Sequence, residues 1–309
     1  MPRLVIHQEK IPDPRALAAL CPFGALEERE GRVSVNAACK MCRICVKKGP
    51  AGAVEYLEDA PAPAVDKAAW QGVAVYVDHV DGRVHPVTLE LIGKARELAA
   101  KADQPVYALF IGENVAGSAR ELLHYGVDRV FVYDDPALAR FRIESYANVF
   151  EDFVKAERPA AILVGATPVG RQLAPRVAAR LHTGLTADCT VLDMLENTDL
   201  IQIRPAFGGN IMAQIVTPNH RPQMATVRYK VMDAPMRMDA PAGEIVRRAL
   251  PAGVASSRAV CVRSESLPQK RSISDAEILV VGGRGLRREA DLALVRELAA
   301  ALRGDWAVT

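Results

Sequence analysis

From Gly72 onward, short continuous apolar runs alternate with stretches whose apolar residues recur at helical spacing. Val73–Val77, Val106–Ile111, Arg129–Tyr133 and Ala160–Val164 read as buried strands. Pro86–Lys101 reads as an amphipathic helix with Leu89, Ile92, Ala95 and Leu98 on one face, and Ser118–His124 and Ile143–Ala156 as further helices. Uninterrupted apolar strands separated by helices predict an α/β fold with a parallel sheet covered on both faces. Ligands of such sheets bind beyond the carboxyl ends of the strands.

Helical spacing stops between Leu185 and Val231. Ile201–Ile203, Ile211–Val216 and Ala225–Tyr229 read as strands with Gly208-Gly209-Asn210 as a turn, and this β-rich tail is expected to extend the same sheet. Residues 233–272 read as a connector around one strand, Ala259–Val262. A last unit opens at Ala276, with a strand at Ile278–Val281, a helix at Leu286–Leu302 and a strand at Trp306–Val308. A piece that small cannot bury a core of its own. It is expected to be the truncated start of a domain or to lean on another subunit. At the other end, Val33–Val35 and Val54–Tyr56 read as short strands of a small unit, followed by the proline-stiffened linker Ala60-Pro61-Ala62-Pro63-Ala64. The expected domains are 1–60, 68–255 and 276–309.

Composition removes several classes of function. Lys and Arg number 39 against 37 Asp and Glu, a net charge of +2 that gives no footprint for nucleic acid or an anionic membrane. No apolar run is long enough to span a bilayer, and the N-terminus lacks the apolar core of a secretory signal. A soluble protein of a reducing compartment, the cytoplasm, is expected.

Four of the six cysteines crowd into the first segment: Cys21, Cys39, Cys42 and Cys45. Two Cys-x-x-Cys steps share Cys42, and Pro22 follows the remote Cys21. That is the ligand pattern of one cubane in a bacterial-type ferredoxin, a [4Fe–4S] site. A second cubane would require cysteines at Ile11, Pro14, Leu17 and Gly49, and none is present. Structural zinc, which favours separated Cys pairs, and unreactive thiols are the alternatives. Cys189 and Cys261 stand alone and read as small buried apolar residues.

Two glycine-bearing turns could cradle an anion. Gly282-Gly283-Arg284-Gly285 follows a strand, and its glycines would let the backbone approach a phosphate, with Arg284 as a fork for pyrophosphate. Arg288 occupies the place of the third glycine in the dinucleotide fingerprint, so a plain strand-to-helix turn is the competing reading. Gly165-Ala166-Thr167-Pro168-Val169-Gly170-Arg171 has the same grammar, with Thr167 as cap and Pro168 setting the first turn; a helix start is favoured over an anion or partner surface. His79, His85, His124, His182 and His220 have no partner at ligand or triad spacing, so nothing is built for hydrolysis.

The block from Gly165 through Arg171, Leu173–Leu181 and Thr183–Thr190, extended by Pro205–Asn210, Arg221–Met224 and Val280–Gly285, resembles the alpha subunit of electron transfer flavoprotein. The resemblance covers about residues 72–309. It implies a Rossmann-like domain that pairs with a beta subunit in a heterodimer, then the start of a second α/β domain that binds FAD. It further implies that Gly283, Arg284 and Gly285 contact FAD and that Thr309 falls where the family has a flavin-contacting Ser. The Arg of that Ser-Arg pair would be the next residue, so the chain reads as ending within the FAD domain. An added ferredoxin-like α+β domain is similar to alpha subunits associated with flavin-based bifurcation or with dehydrogenase complexes. The expected function is an electron-carrier subunit, rather than a stand-alone enzyme, linking the cluster, FAD and a flavin-dependent acyl-CoA or 2-hydroxy-acid dehydrogenase, with ferredoxin as a further partner. A docking scaffold without flavin and a zinc-stapled nucleotide module are the rival readings.

Overall fold

The computed structural model describes residues 3–58, 65–251, 253–254, 256–265, 273 and 276–309. Two compact units divide the chain, residues 1–258 and 259–309. The proline linker at 60–64 lies outside the described residues.

The cysteine-bearing segment contains β1 (Arg3–Ile6), α1 (Pro14–Ala19), β2 (Leu26–Arg29), β3 (Arg32–Val35), α2 (Ile44–Lys48) and β4 (Val54–Leu57). β1 pairs antiparallel with β4, and β2 with β3. Asp13 starts α1 by accepting from the N–H groups of Arg15 (3.0 Å) and Ala16 (3.1 Å), with Pro14 at the first helical position. Leu17, Leu26, Val33, Cys45 and Val54 meet in a small core.

The main sheet follows in β5 (Val73–Tyr76), the short pair β6 (His79–Val80) and β7 (Arg83–Val84), α3 (Pro86–Lys101), β8 (Val106–Gly112), α4 (Ala116–Leu122), β9 (Arg129–Asp134), α5 (Ile143–Glu157), β10 (Ala161–Gly165) and α6 (Gly170–Arg180). Beyond it come β11 (Leu185–Cys189), β12 (Val191–Met194), β13 (Leu200–Ala206), β14 (Ile211–Ile215), β15 (Gln223–Val227) and β16 (Glu244–Arg247). Seven strands run in the order β11-β15-β10-β5-β8-β9-β16, every neighbouring pair parallel. Alternate residues of β5 explain the two-sided cover. Val73 and Val75 join Leu91, Ile92, Ala95 and Leu98 of α3, whereas Ala74 and Tyr76 join Phe150 and Phe153 of α5 and Leu173 of α6.

Three expectations need correction. The β-rich tail extends the sheet only in part: β11 and β15 join it, but β12, β13 and β14 form a separate antiparallel sheet. Their connections are tight turns, which suit antiparallel pairing, whereas a parallel partner needs a long crossover. Ala259–Val262 is not a strand; the region read as connector instead supplies β16, the sheet edge paired with β9. The helix expected from Leu286 starts later, because loop residues and a 3₁₀ turn at Glu289–Asp291 precede α7 (Leu292–Ala301).

The second unit consists of β17 (Leu279–Gly282), α7 and β18 (Asp305–Val308), with β17 and β18 parallel. Val295 and Ala299 are its buried apolar side chains, while Leu294, Leu298, Trp306 and Val308 stay exposed.

Candidate redox centre and glycine turn

Cys21, Cys39, Cys42 and Cys45 line one small cavity, together with Pro22, Phe23, Lys40 and Arg43. The topology that achieves this is short: Cys21 lies just after α1, Cys39 and Cys42 lie in the loop after β3, and Cys45 sits in the first turn of α2. All four are free thiols; Cys45 is buried and Cys42 exposed.

Backbone amides converge on the sulfurs. The N–H of Ala25 donates to Cys21 Sγ at 3.3 Å and that of Met41 to Cys39 Sγ at 3.5 Å. Burial pushes the Cys21 thiol up, but amides of Ala25, Phe23, Leu26 and Gly24 outweigh it and leave it below its ordinary value. Cys45 goes the other way: burial raises it, and the nearby Cys39 and Cys42 sulfurs add to the rise. Met41 and Arg43 both adopt left-handed backbone, at φ +52° and +61°. Gly49, just after α2, leaves no room for a side chain: a Cβ there would stand 2.4 Å from the Cys45 carbonyl oxygen.

Among the described residues no three His, Cys, Asp or Glu side chains converge to hold a single ion. A cubane asks for something wider, because each thiolate binds a different iron, whereas a zinc site gathers its ligands around one atom. The four thiols line one cavity, a donor set of the number a cubane takes.

In the second unit, Gly282, Gly283, Arg284 and Gly285 carry the chain out of β17. A Cβ on Gly282 would stand 2.8 Å from Leu286 Cδ1, so packing explains that glycine. Neither packing nor backbone conformation explains the next two. A Cβ on Gly283 or Gly285 would meet nothing within 4 Å, and neither residue has a positive φ. Open space lies in front of both glycines, as it does in front of Gly117 on α4. Arg284 is exposed beside them, and the N–H of Thr309 donates to Gly282 O at 3.1 Å, which brings Thr309 to the same turn. Arg288 is occupied by Asp291, at 2.9 Å.

The Gly165–Arg171 turn is a helix start. Thr167 Oγ1 accepts from the N–H of Gly170 (3.0 Å) and donates to Asp78 Oδ2. Asp78 follows β5 and Thr167 follows β10, neighbours at the point where the strand order reverses. A buried carboxylate already bonded there disfavours a phosphate. Arg171 is likewise engaged, donating to Ala166 O (2.9 Å) and to Asp188 (3.1 Å).

Three of the lone histidines are engaged locally. His79 bonds Ile111 O at 2.7 Å, His85 caps α3 through Val87 N–H at 3.1 Å, and His124 meets Met238 O at 2.8 Å. Cys189 is fully buried as expected, with burial pushing its thiol up to about 12. Cys261 is exposed, a correction, because the strand that would have buried it does not form. Sequence reading missed the buried ion cluster around Asp199, which accepts from Arg221 Nη2 (2.8 Å) and Lys67 Nζ (2.7 Å).

Parallel strands covered on both faces, with a reversal of strand order at the centre, define a doubly wound, Rossmann-like α/β chain. The electron transfer flavoprotein domain matches residues 73–252, and the chain belongs to that family. Within it the chain is of the alpha-subunit type. It is 54% identical over 294 residues to the lactate dehydrogenase (NAD(+),ferredoxin) subunit LctC of Acetobacterium woodii, covering 95% of this chain and 70% of that protein. The electron transfer flavoprotein subunit alpha of Clostridium acetobutylicum is 40% identical over 249 residues, 79% of this chain and 74% of that one. FixB of Azorhizobium caulinodans is 39% identical over 245 residues, 77% and 66%. The first of these matches leaves too few residues unmatched to omit Cys21–Cys45 from either end. Among the described residues no helix is long and apolar enough to cross a membrane.

Proposed function

We propose that this chain is the alpha-type subunit of a cytoplasmic electron-transfer complex in which one [4Fe–4S] cluster is held by Cys21, Cys39, Cys42 and Cys45 and FAD by the Gly283–Gly285 turn. The carrying observation is the single cavity lined by all four thiols, the remote Cys21 included. Residues 1–60 form the cluster domain, 68–255 the domain that docks a beta subunit, and 276–309 the start of the FAD domain.

The energetics of the first segment support the cluster. Its five-residue core is small, and Met41 and Arg43 add left-handed backbone at about 1–2 kcal/mol each. Domains of this size commonly need a metal or covalent staple. Inward amides of Ala25 and Met41 suit sulfurs that carry negative charge. In the second unit Arg284 would neutralise a pyrophosphate while Gly283 and Gly285 admit it to the backbone. When bound, the cluster supplies one-electron steps and the flavin one- or two-electron steps; the protein sets distance and potential.

A partner dehydrogenase acting on a 2-hydroxy acid is preferred over one acting on an acyl-CoA, supported by the lactate dehydrogenase named for the relative from Acetobacterium woodii. Ferredoxin as a further partner and flavin-based bifurcation are the finer form of this reading, supported by the same relative's pairing of NAD(+) with ferredoxin. The test is flavin content of this chain co-purified with its beta subunit and assayed for reduction by the dehydrogenase of its own complex. Flavin bound through the glycine turn and reduced on addition of 2-hydroxy acid is expected. A stable heterodimer with no flavin at that turn would make the subunit a docking scaffold instead.

A further inference from the structure

Arg43 stands between two of the four thiols, and two features of it are unusual together. Its backbone is left-handed, at φ +61°, a conformation a non-glycine side chain adopts only when its surroundings enforce it. Its guanidinium lies over the ring of Tyr56 on β4, with Cζ 3.7 Å from the centroid, and Nη2 donates to Glu58 Oε1 at 2.6 Å. Arg43 lines both the thiol cavity and the adjoining cleft that contains Tyr56 and Glu58. Lys40, Lys47 and Lys48, also exposed, form no ion pair with any described residue, so Arg43 is set apart as a cation of this region that is held in place.

We propose that Arg43 is a positioning residue for the cysteine loop. The stack on Tyr56 and the pair with Glu58 tie the left-handed turn to β4, keep the exposed Cys42 in ligand position, and fix a positive charge beside an anionic cluster. The inference rests on the cluster reading above. A planar guanidinium stacks flat on the ring while its fork of donors still reaches the carboxylate, a geometry a lysine ammonium does not have.

The experiment uses the full chain with its beta subunit, purified without oxygen, as wild type, Arg43→Gln, Arg43→Lys, Tyr56→Leu and the double variant Arg43→Gln/Tyr56→Leu. Three readouts are taken: iron and sulfide per chain, the rate at which absorbance near about 400 nm is lost to EDTA under air, and the cluster midpoint potential by equilibrium titration. Arg43→Gln is expected to lose the cluster about fivefold faster, as removal of one exposed stack and ion pair implies, and to show a lower midpoint. The midpoint falls because a nearby cation favours the more reduced, more negative cluster. Tyr56→Leu should shorten the lifetime with a smaller shift in midpoint, and Arg43→Lys should restore the midpoint but not the lifetime. The double variant should be no worse than the worse single, because the two residues act through one contact. Additive single effects, or wild-type lifetime and midpoint in Arg43→Gln, would overturn the proposal even with the cluster present. Wild type without iron would instead overturn the cluster reading and the inference with it. If Arg43→Gln does not fold, Arg43→Lys and Tyr56→Leu still decide between these outcomes.

Discussion

Consider Gly283→Ala and Gly285→Ala in the proposed flavin turn. The added methyl would meet no atom within 4 Å in either case, and neither backbone is left-handed. The folded chain should therefore keep its stability within about 0.5 kcal/mol, or gain slightly from a less flexible unfolded state. Flavin binding should respond very differently. A methyl in the path of a phosphate removes a charge-assisted hydrogen bond of roughly 1.5–3 kcal/mol, about ten- to a hundredfold in Kd. Gly282→Ala supplies the contrast. Its methyl would stand 2.8 Å from Leu286 Cδ1, the end of a side chain that can shift, and 3.3 Å from Val295 Cγ2, so it should cost up to about 1 kcal/mol of stability by overpacking. The assay pairs thermal melts of the flavin-free heterodimer with FAD titrations followed by flavin fluorescence. The expected pattern is intact melting with weakened binding at 283 and 285, and lowered melting at 282. Affinity at 283 and 285 within twofold of wild type would refute the claim that the open glycines exist for a ligand.

Further expectations concern the main domain and the exposed Cys261 beyond it. Burial pushes the Asp199 carboxyl up, but Lys67 and Arg221 more than reverse this, holding it below the ordinary 3.8. Its stabilisation is present above that value and lost as pH falls through the lowered one; Asp199→Asn, which strands the buried Arg221 cation, should cost roughly 3–5 kcal/mol at neutral pH and lose this acid dependence, measured by urea unfolding. Cys189, raised to about 12 by burial, should lower stability as pH climbs above 9, where the unfolded thiol ionises first. In thiol labelling Cys261 should react quickly and Cys189 only on unfolding; equal rates would contradict the burial described. Thr167→Val removes the partner of Asp78 and the cap on Gly170, and should cost about 1–3 kcal/mol, read from the same denaturation curves. A loss near zero would show that the pair at the strand reversal carries no stability.

Local pattern made the central sheet readable: continuous apolar runs at β5, β8, β9 and β10 and the stripe along α3 identify themselves without reference to anything distant. Spacing alone also singled out the four thiols, because Cys-x-x-Cys steps and a Cys-Pro place ligands independently of the fold around them. β16 was hidden for the opposite reason. Its four residues, Glu244-Ile245-Val246-Arg247, are too few for periodicity, and only pairing with β9 makes them a strand. The partners of Asp199 lie far away in sequence, at Lys67 and Arg221, so no window of neighbouring residues contains that cluster. Tyr56 and Glu58 were similarly invisible as partners of Arg43 until β4 brought them beside the cysteine loop. The glycine turn was half legible: the motif was visible, but the late start of α7 and the empty space before Gly283 and Gly285 are set by the folded turn and not by the motif.

Metal and acid-labile sulfide analysis of the chain purified without oxygen, combined with EPR after dithionite reduction, tests the central claim most directly. About four irons and four sulfides per chain, with a one-electron paramagnetic signal abolished by replacing Cys21 with Ser, is the predicted result. A single zinc per chain, or iron that persists undiminished without the Cys21 thiol, would contradict it.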